Sequence, residues 1–317
     1  MSDFPELPVK EYANVYKEDT DKPLPAKIDP NLRYAFFSTI AKGGKSLIKS
    51  CKDMNLGRVV CYKTLKAEFA DDPIEQQRLL REARVSAMLQ HPNTLPTYEL
   101  GRDNNGHYYF TMKLVHGYTL REILDYRDRY DLTQLIDVII QVGHALEYAH
   151  SHGVLHRDIK PENILVGPFG EVILMDWGLA KVWDIAGTQE SLGDGLLLDT
   201  EDISITGQAK LQGTICYMSP EQIKKDPAID GRTDIYSLAA IIYEILAGKT
   251  ATQGETMDEL VRSTLDDIPE PPSTIISYYI PEIVESVCMK CLKKDPNERI
   301  QTMGEMLRLL QETIRMD

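Results

Sequence analysis

His156-Arg157-Asp158-Ile159-Lys160-Pro161-Glu162-Asn163 is the stretch from which this chain is best read. An acid, Asp158, stands five residues before an amide, Asn163, with Lys160 between them. Thirteen residues beyond Asn163 comes a second acid, in Asp176-Trp177-Gly178. These are the parts that phosphoryl transfer requires. One carboxylate accepts the proton of an attacking hydroxyl, while an amide and another carboxylate hold a divalent cation against the phosphates.

The first stretch resembles the catalytic loop H-R-D-x-K-P-x-N of eukaryotic-type protein kinases, and Asp176-Trp177-Gly178 is similar to the D-F-G metal site with Trp for Phe. The resemblance runs in order from about residue 31 to 314. Val60-Cys61-Tyr62-Lys63 matches V-A-I-K, and Glu82, preferred to its competitor Glu75 because His91-Pro92-Asn93 follows at the family's distance, matches the small-lobe helix glutamate that pairs with that lysine. Gly213-Thr214 and Ser219-Pro220-Glu221 resemble the substrate-docking loop and the A-P-E end of the activation segment. Asp234 resembles the aspartate that bonds the catalytic-loop backbone, and Arg299 the arginine that pairs with Glu221. Lys160 and Thr214 favour Ser/Thr over Tyr acceptors, and the wording of these motifs is closest to bacterial Ser/Thr kinases.

The resemblance implies an α+β, bilobal fold. A five-stranded antiparallel sheet with one helix would occupy 31–115, and a larger, mainly helical lobe 116–317, with ATP between them. The implied cofactors are ATP and Mg2+ or Mn2+, and the implied partners are proteins with Ser/Thr acceptors. Asp158 would take the acceptor proton and Lys160 would steady the γ-phosphate. Asn163 and Asp176 would bind the metal, and Lys63 would reach the α- and β-phosphates. Ile40, Ala41, Gly43 and Ile48 would cover the nucleotide. Met112 would be the gatekeeper, with the backbones of Lys113 and Val115 on the adenine edge. His156 is given no chemical role.

One departure matters. In the glycine-rich loop G-x-G-x-x-G the first and third glycines fall on Ala41 and Ser46, and only Gly43 stands in register. Neither Ala nor Ser takes positive φ as freely as Gly, so weaker nucleotide binding is expected. This motivates a rival reading, a pseudokinase that serves as a nucleotide-binding scaffold. A small-molecule phosphotransferase is a further rival, but it would normally lack Lys160-Pro161 and the docking loop. Gly44-Lys45-Ser46 is not a Walker A loop, which would need Gly where Thr39 stands.

Composition sets the outer bounds. The chain has 317 residues, 43% hydrophobic and 26% charged, enough to bury a full core. A net charge of −14 argues against non-specific binding to nucleic acid or to an anionic membrane face. No apolar run is long enough to span a bilayer, and the N-terminus lacks a signal-peptide core. The 5 cysteines form no paired framework, which suits a cytoplasmic protein. Cys288 and Cys291 form a lone C-x-x-C without a second pair, so buried core thiols are expected rather than a zinc site.

Along the chain, residues 1–30 carry Pro5, Pro8, Pro23, Pro25 and Pro30 and read as an N-terminal tail. A helix is expected over 72–89, begun by Asp72 and Pro73, with Leu79, Ala83 and Met88 turned inward. Helices are expected over 119–129 and 132–152, the latter closed by Gly153, and a very apolar one ending at 246. Between Asp176 and Glu221 the segment is rich in Gly, Ser and Thr. Arg157 resembles the family's phosphate-pocket arginine. Thr206, then Ser204, are the expected regulatory phosphosites, self-modified through a possible dimer.

Overall fold

Thr233 to Ala247 is apolar on nearly every side, and a helix of that kind has no face to offer water. In the computed structural model it is helix Arg232–Ala247, buried over almost its whole length. The structure describes residues 32–182 and 213–314. The tail 1–30, together with Thr206 and Ser204, lies outside the described residues.

Residues 32–90 and 94–117 form one compact unit; 91–93, 118–182 and 213–314 form another. The division between these units falls after Gly117. His91–Asn93 goes with the second unit because Asn93 is bonded there. Its carbonyl accepts from Leu174 N at 2.9 Å and its amide donates to Val172 O at 2.8 Å.

The first unit is an antiparallel sheet of β1 (Tyr34–Lys42), β2 (Ser46–Asp53), β3 (Arg58–Leu65), β4 (Thr97–Arg102) and β5 (Tyr108–Lys113), in the order β1-β2-β3-β5-β4. Helix α1 (Pro73–Met88) packs against it. Asp72 caps α1, accepting from Ile74 N and Glu75 N. Leu79, Glu82, Ala83 and Ser86 are buried, spaced three and four apart as one face of a helix demands. Met88 is a correction. It lies nine residues from Leu79, half a turn away at about 100° per residue, and is 58% exposed.

In the second unit α2 (Leu120–Leu124) is much shorter than 119–129, followed only by a 3-10 turn at Arg127–Arg129. Only Leu120 and Ile123 of α2 are buried, too few apolar positions to carry a longer amphipathic stripe. Helix α3 (Leu132–Ser151) opens on a capping box of Asp131 and Gln134, and Gly153 follows it at φ 69°. Next come α4 (Pro220–Ile223), α5 (Arg232–Ala247), α6 (Met257–Asp266), α7 (Pro272–Ile275), α8 (Glu282–Cys291) and α9 (Met303–Ile314). Cys288 and Cys291 lie in α8, wholly buried; burial pushes the Cys291 thiol up to about 12 and Cys288 well up. No helix among the described residues is long and apolar enough to cross a membrane.

Candidate active site

In the first unit the turn between β1 and β2 spans 43–45 and is closed by Gly43 N on Ser46 O at 3.0 Å. Ile40 and Ala41 belong to β1, and Ala41 pairs with Ile48. None of residues 40–46 has positive φ. At Gly43 a Cβ would meet Ser46 Oγ at 2.8 Å, a contact that rotation of the serine side chain relieves, while the backbone atoms stay at 3.5 Å or more. The glycine shortage at 41 and 46 therefore deprives the backbone of no left-handed conformation.

Ile48 stands opposite Lys63 on β3, so the two share a face of the sheet. Lys63 Nζ donates to Glu82 Oε1 at 2.6 Å and to Oε2 at 2.7 Å, with both side chains about 10% exposed. Glu75, the other buried acid of α1, is engaged by Lys45 (2.8 Å) and Arg78 (2.6 Å). A buried pair such as Lys63–Glu82 is weak support for stability, because desolvation offsets the attraction. Its effect is to fix where the ammonium points. Met112, at the end of β5, is buried opposite Cys61 of β3 and Thr97 of β4. Lys113 N donates to Pro96 O at 3.1 Å, and its side chain is exposed. Val115 is half-buried in the irregular stretch 114–117.

In the second unit one carboxylate gathers the rest. Lys160 Nζ donates to both oxygens of Asp158 at 2.8 Å and to Thr214 Oγ1 at 3.2 Å. Asn163 Nδ2 donates to Asp158 O at 2.8 Å and to its Oδ2 at 2.9 Å. Both donor hydrogens of the Asn163 amide are thereby used, and its Oδ1 is left as an acceptor. Burial pushes the Asp158 carboxyl above the ordinary range, against the opposing pull of Lys160. The cluster thus places a carboxylate that can take up a proton beside a cation.

The backbone beneath is bent and pinned. Arg157 and Asp176 have φ of 66° and 65°, a region that costs a residue with a side chain about 1 kcal/mol or more. Asp234, on α5, compensates by accepting from His156 N and Arg157 N, each at 2.9 Å, with His150 Nε2 at 2.8 Å. Burial would raise its pKa, but the His150 hydrogen bond and the neighbouring histidines outweigh that and hold it low. His156 Nδ1 accepts from Asp158 N at 3.2 Å and its Nε2 meets Met175 O at 3.0 Å. That pattern is the neutral ring with the proton on Nε2, and burial lowers its pKa accordingly. Asn163 O accepts from Met175 N at 2.8 Å, which ties the Asp176 stretch to the loop. Trp177 is fully buried, edge-on to His156 at 4.4 Å, and its indole N–H has no partner among the described residues. Arg157 Nε donates to Leu179 O at 2.7 Å, and Arg157 O accepts from Gln222 Nε2 at 2.7 Å.

For a metal, the donor set fits a hard cation such as Mg2+, which takes one amide oxygen and one or two carboxylates and completes its shell with phosphate and water. Asn163 Oδ1 and Asp176 would hold it. Glu244, Tyr217 and Arg121, on α5, the docking loop and α2, form a second polar cluster near the loop that the sequence did not single out.

Residues 34–310 match the protein kinase domain family. The serine/threonine-protein kinase PknD of Protochlamydia amoebophila is 35% identical over 289 residues, which cover 87% of this chain and 29% of that protein. The serine/threonine-protein kinase PknB of Mycolicibacterium smegmatis is 34% identical over 277 residues, 86% of this chain and 42% of the relative. The probable serine/threonine-protein kinase SCO3848 of Streptomyces coelicolor is 33% identical over 277 residues, 86% of this chain and 39% of its own. The chain thus spans between 29% and 42% of the lengths of these relatives. Members of the family generally use ATP with Mg2+ or Mn2+. With the Lys63–Glu82 pair in one unit and the Asp158–Lys160–Asn163 cluster in the other, and with a match that runs through both, the chain belongs to the protein kinase family.

Proposed function

We propose that this chain transfers the γ-phosphate of ATP to Ser or Thr hydroxyls of proteins. The observation that carries the reading is the Asp158 carboxylate, bonded by Lys160 and Asn163 while Asn163 keeps its Oδ1 for a cation. The acceptor oxygen attacks the γ-phosphorus, the bond to the ADP oxygen breaks, and the acceptor proton passes to Asp158. Lys160 offsets charge on the transferring group and Lys63 holds the α- and β-phosphates. Mg2+ bound at Asn163 and Asp176 would neutralise charge that builds on the phosphate oxygens. Ile40, Ala41, Gly43, Ile48, Met112, Lys113 and Val115 would enclose the nucleotide. A pseudokinase scaffold is not favoured, since its one motive was the glycine loop and that loop needs no positive φ. A cytoplasmic setting belongs to the proposal and rests on five free cysteines.

The test is incubation with labelled ATP and Mg2+, alone and with a generic acceptor protein, beside Asp158→Asn. Labelling should fall by about 100-fold or more in the variant, the usual share of a positioned base. Wild-type turnover by Asp158→Asn in a single-turnover experiment would refute the role. Mapping the label tests regulation as well: phosphate on Thr206 or Ser204 in the active form only, formed faster at higher protein concentration, is expected if two copies modify each other. A fully active enzyme without phosphate between Asp176 and Glu221 would exclude it.

A further inference from the structure

The turn between β1 and β2, which lacks two of the family's glycines, is fastened by residues from outside it. Lys45 Nζ donates to Glu75 Oε1 at 2.8 Å and lies over the Phe69 ring at 5.8 Å. The Lys45 side chain is 20% exposed and that of Glu75 6%, so the pair is largely shielded from water. Lys66, the residue after β3, adds two bonds. Its N donates to Lys45 O at 2.9 Å and its Nζ to Gly44 O at 2.6 Å.

Glu75 and Glu82 stand seven residues apart on α1, which is two turns of helix, so both carboxylates leave the same side. Both are buried. Glu82 takes the Lys63 ammonium and Glu75 the Lys45 ammonium. About 10 Å of helix separates the two acids, and the Asp72 cap fixes its first turn. A rigid helix cannot shift one carboxylate without shifting the other. The position of α1 that holds Lys63 is therefore also the position that holds the turn. Arg78 Nη1 donates to Glu75 Oε1 at 2.6 Å, so that carboxylate keeps a partner when Lys45 is replaced.

We infer that Lys45 and Glu75 are positioning residues for the nucleotide: by tying the β1–β2 turn to α1, they fix the covering loop in the same helix position that orders Lys63. A loop held in place before its ligand arrives loses less freedom on binding, and affinity rises by that saving. The inference rests on the kinase reading above and adds to it the residues that fix the loop. A mere strut would change stability towards urea without changing affinity for ATP.

The experiment titrates ATP with Mg2+ into the full chain by calorimetry, and measures KM for ATP and kcat with a generic acceptor protein. Lys45→Met keeps most of the side-chain stem and the Glu75–Arg78 bond but removes the tether. It should weaken ATP binding and raise KM for ATP by about three- to tenfold, with kcat changing less than KM. Lys45→Arg, which restores a charged donor, should bring affinity back to within about twofold of wild type. Glu75→Gln should weaken ATP binding to a similar extent. Adding it to Lys45→Met should cost little more, because both changes act through one bond. Without nucleotide, amide exchange at Gly43 and Lys66, whose N–H groups bond within the turn, should be faster in Lys45→Met. An ATP affinity for Lys45→Met within about twofold of wild type would overturn the inference, as would a double variant whose two losses simply multiply. Should Glu75→Gln fail to fold, Lys45→Met beside Lys45→Arg decides alone. If wild type binds ATP but transfers no phosphate, the kinase reading fails, while the titrations still decide the tether.

Discussion

Arg299→Met should be among the most damaging single changes in the second unit, and its cost should depend on pH. Arg299 is 2% exposed, and all five of its N–H donors have acceptors. Nε donates to Lys293 O at 2.8 Å. Nη1 donates to Glu221 Oε1 at 2.6 Å and Arg232 O at 3.0 Å, and Nη2 to Glu221 Oε2 at 2.7 Å and Lys294 O at 3.1 Å. Methionine fills much of the volume but strands three carbonyls and leaves Glu221, itself 7% exposed, with Thr233 Oγ1 at 2.7 Å. Breaking a buried pair from one side costs about 3–5 kcal/mol. At about 2–4 °C per kcal/mol for a unit of this size, the melting point should fall by roughly 6–20 °C. The pH dependence follows from Glu221. Burial would raise its pKa, but the Arg299 bonds outweigh burial and hold it below the usual 4.5. In wild type the pair's contribution is therefore complete above that value and lost only as pH falls through the lowered one. In Arg299→Met burial acts almost alone, so Glu221 takes up a proton at a higher pH and sheds the unpaired charge. The stability gap between the two proteins should be widest near neutral pH and should narrow towards pH 5. Urea titrations followed by tryptophan fluorescence at several pH values measure it, and Glu221→Gln with Arg299→Met should recover part of the loss. A cost under about 1 kcal/mol at neutral pH, or a gap that does not narrow, would refute the account.

Two further outcomes are expected. Ala41→Gly with Ser46→Gly should leave ATP affinity unchanged or weaker, because both positions sit in paired strands without positive φ and glycine there costs about 0.5–1 kcal/mol each; a nucleotide titration showing at least threefold tighter binding would contradict this. Trp177→Phe should cost under about 1 kcal/mol despite full burial. The indole N–H it removes, unpartnered among the described residues, is a penalty of about 1–3 kcal/mol, set against about 1 kcal/mol for a cavity of roughly 40 Å3 and a similar loss of buried apolar area. A urea midpoint shift equivalent to more than about 3 kcal/mol would mean the indole has a partner after all.

What the sequence made legible was local or already written in a motif. Asp72 and Pro73 begin α1 as capping chemistry dictates, and the three-and-four spacing of Leu79, Glu82, Ala83 and Ser86 sets its inner face. Met88 is apolar yet exposed because at about 100° per residue it falls half a turn from Leu79. The pairings Lys63–Glu82 and Glu221–Arg299 were readable only through the family, since they join residues 19 and 78 apart and no local pattern encodes them. The glycine loop misled for a physical reason. A glycine count measures freedom to adopt positive φ, and none of residues 40–46 adopts one. Arg121 shows the same limit from the other side. In sequence it is one solvated arginine on a short helix, with Glu162 and Glu244 lying 41 and 123 residues away. Only the fold brings their charges together, and a charge cluster made by topology leaves no motif in the chain.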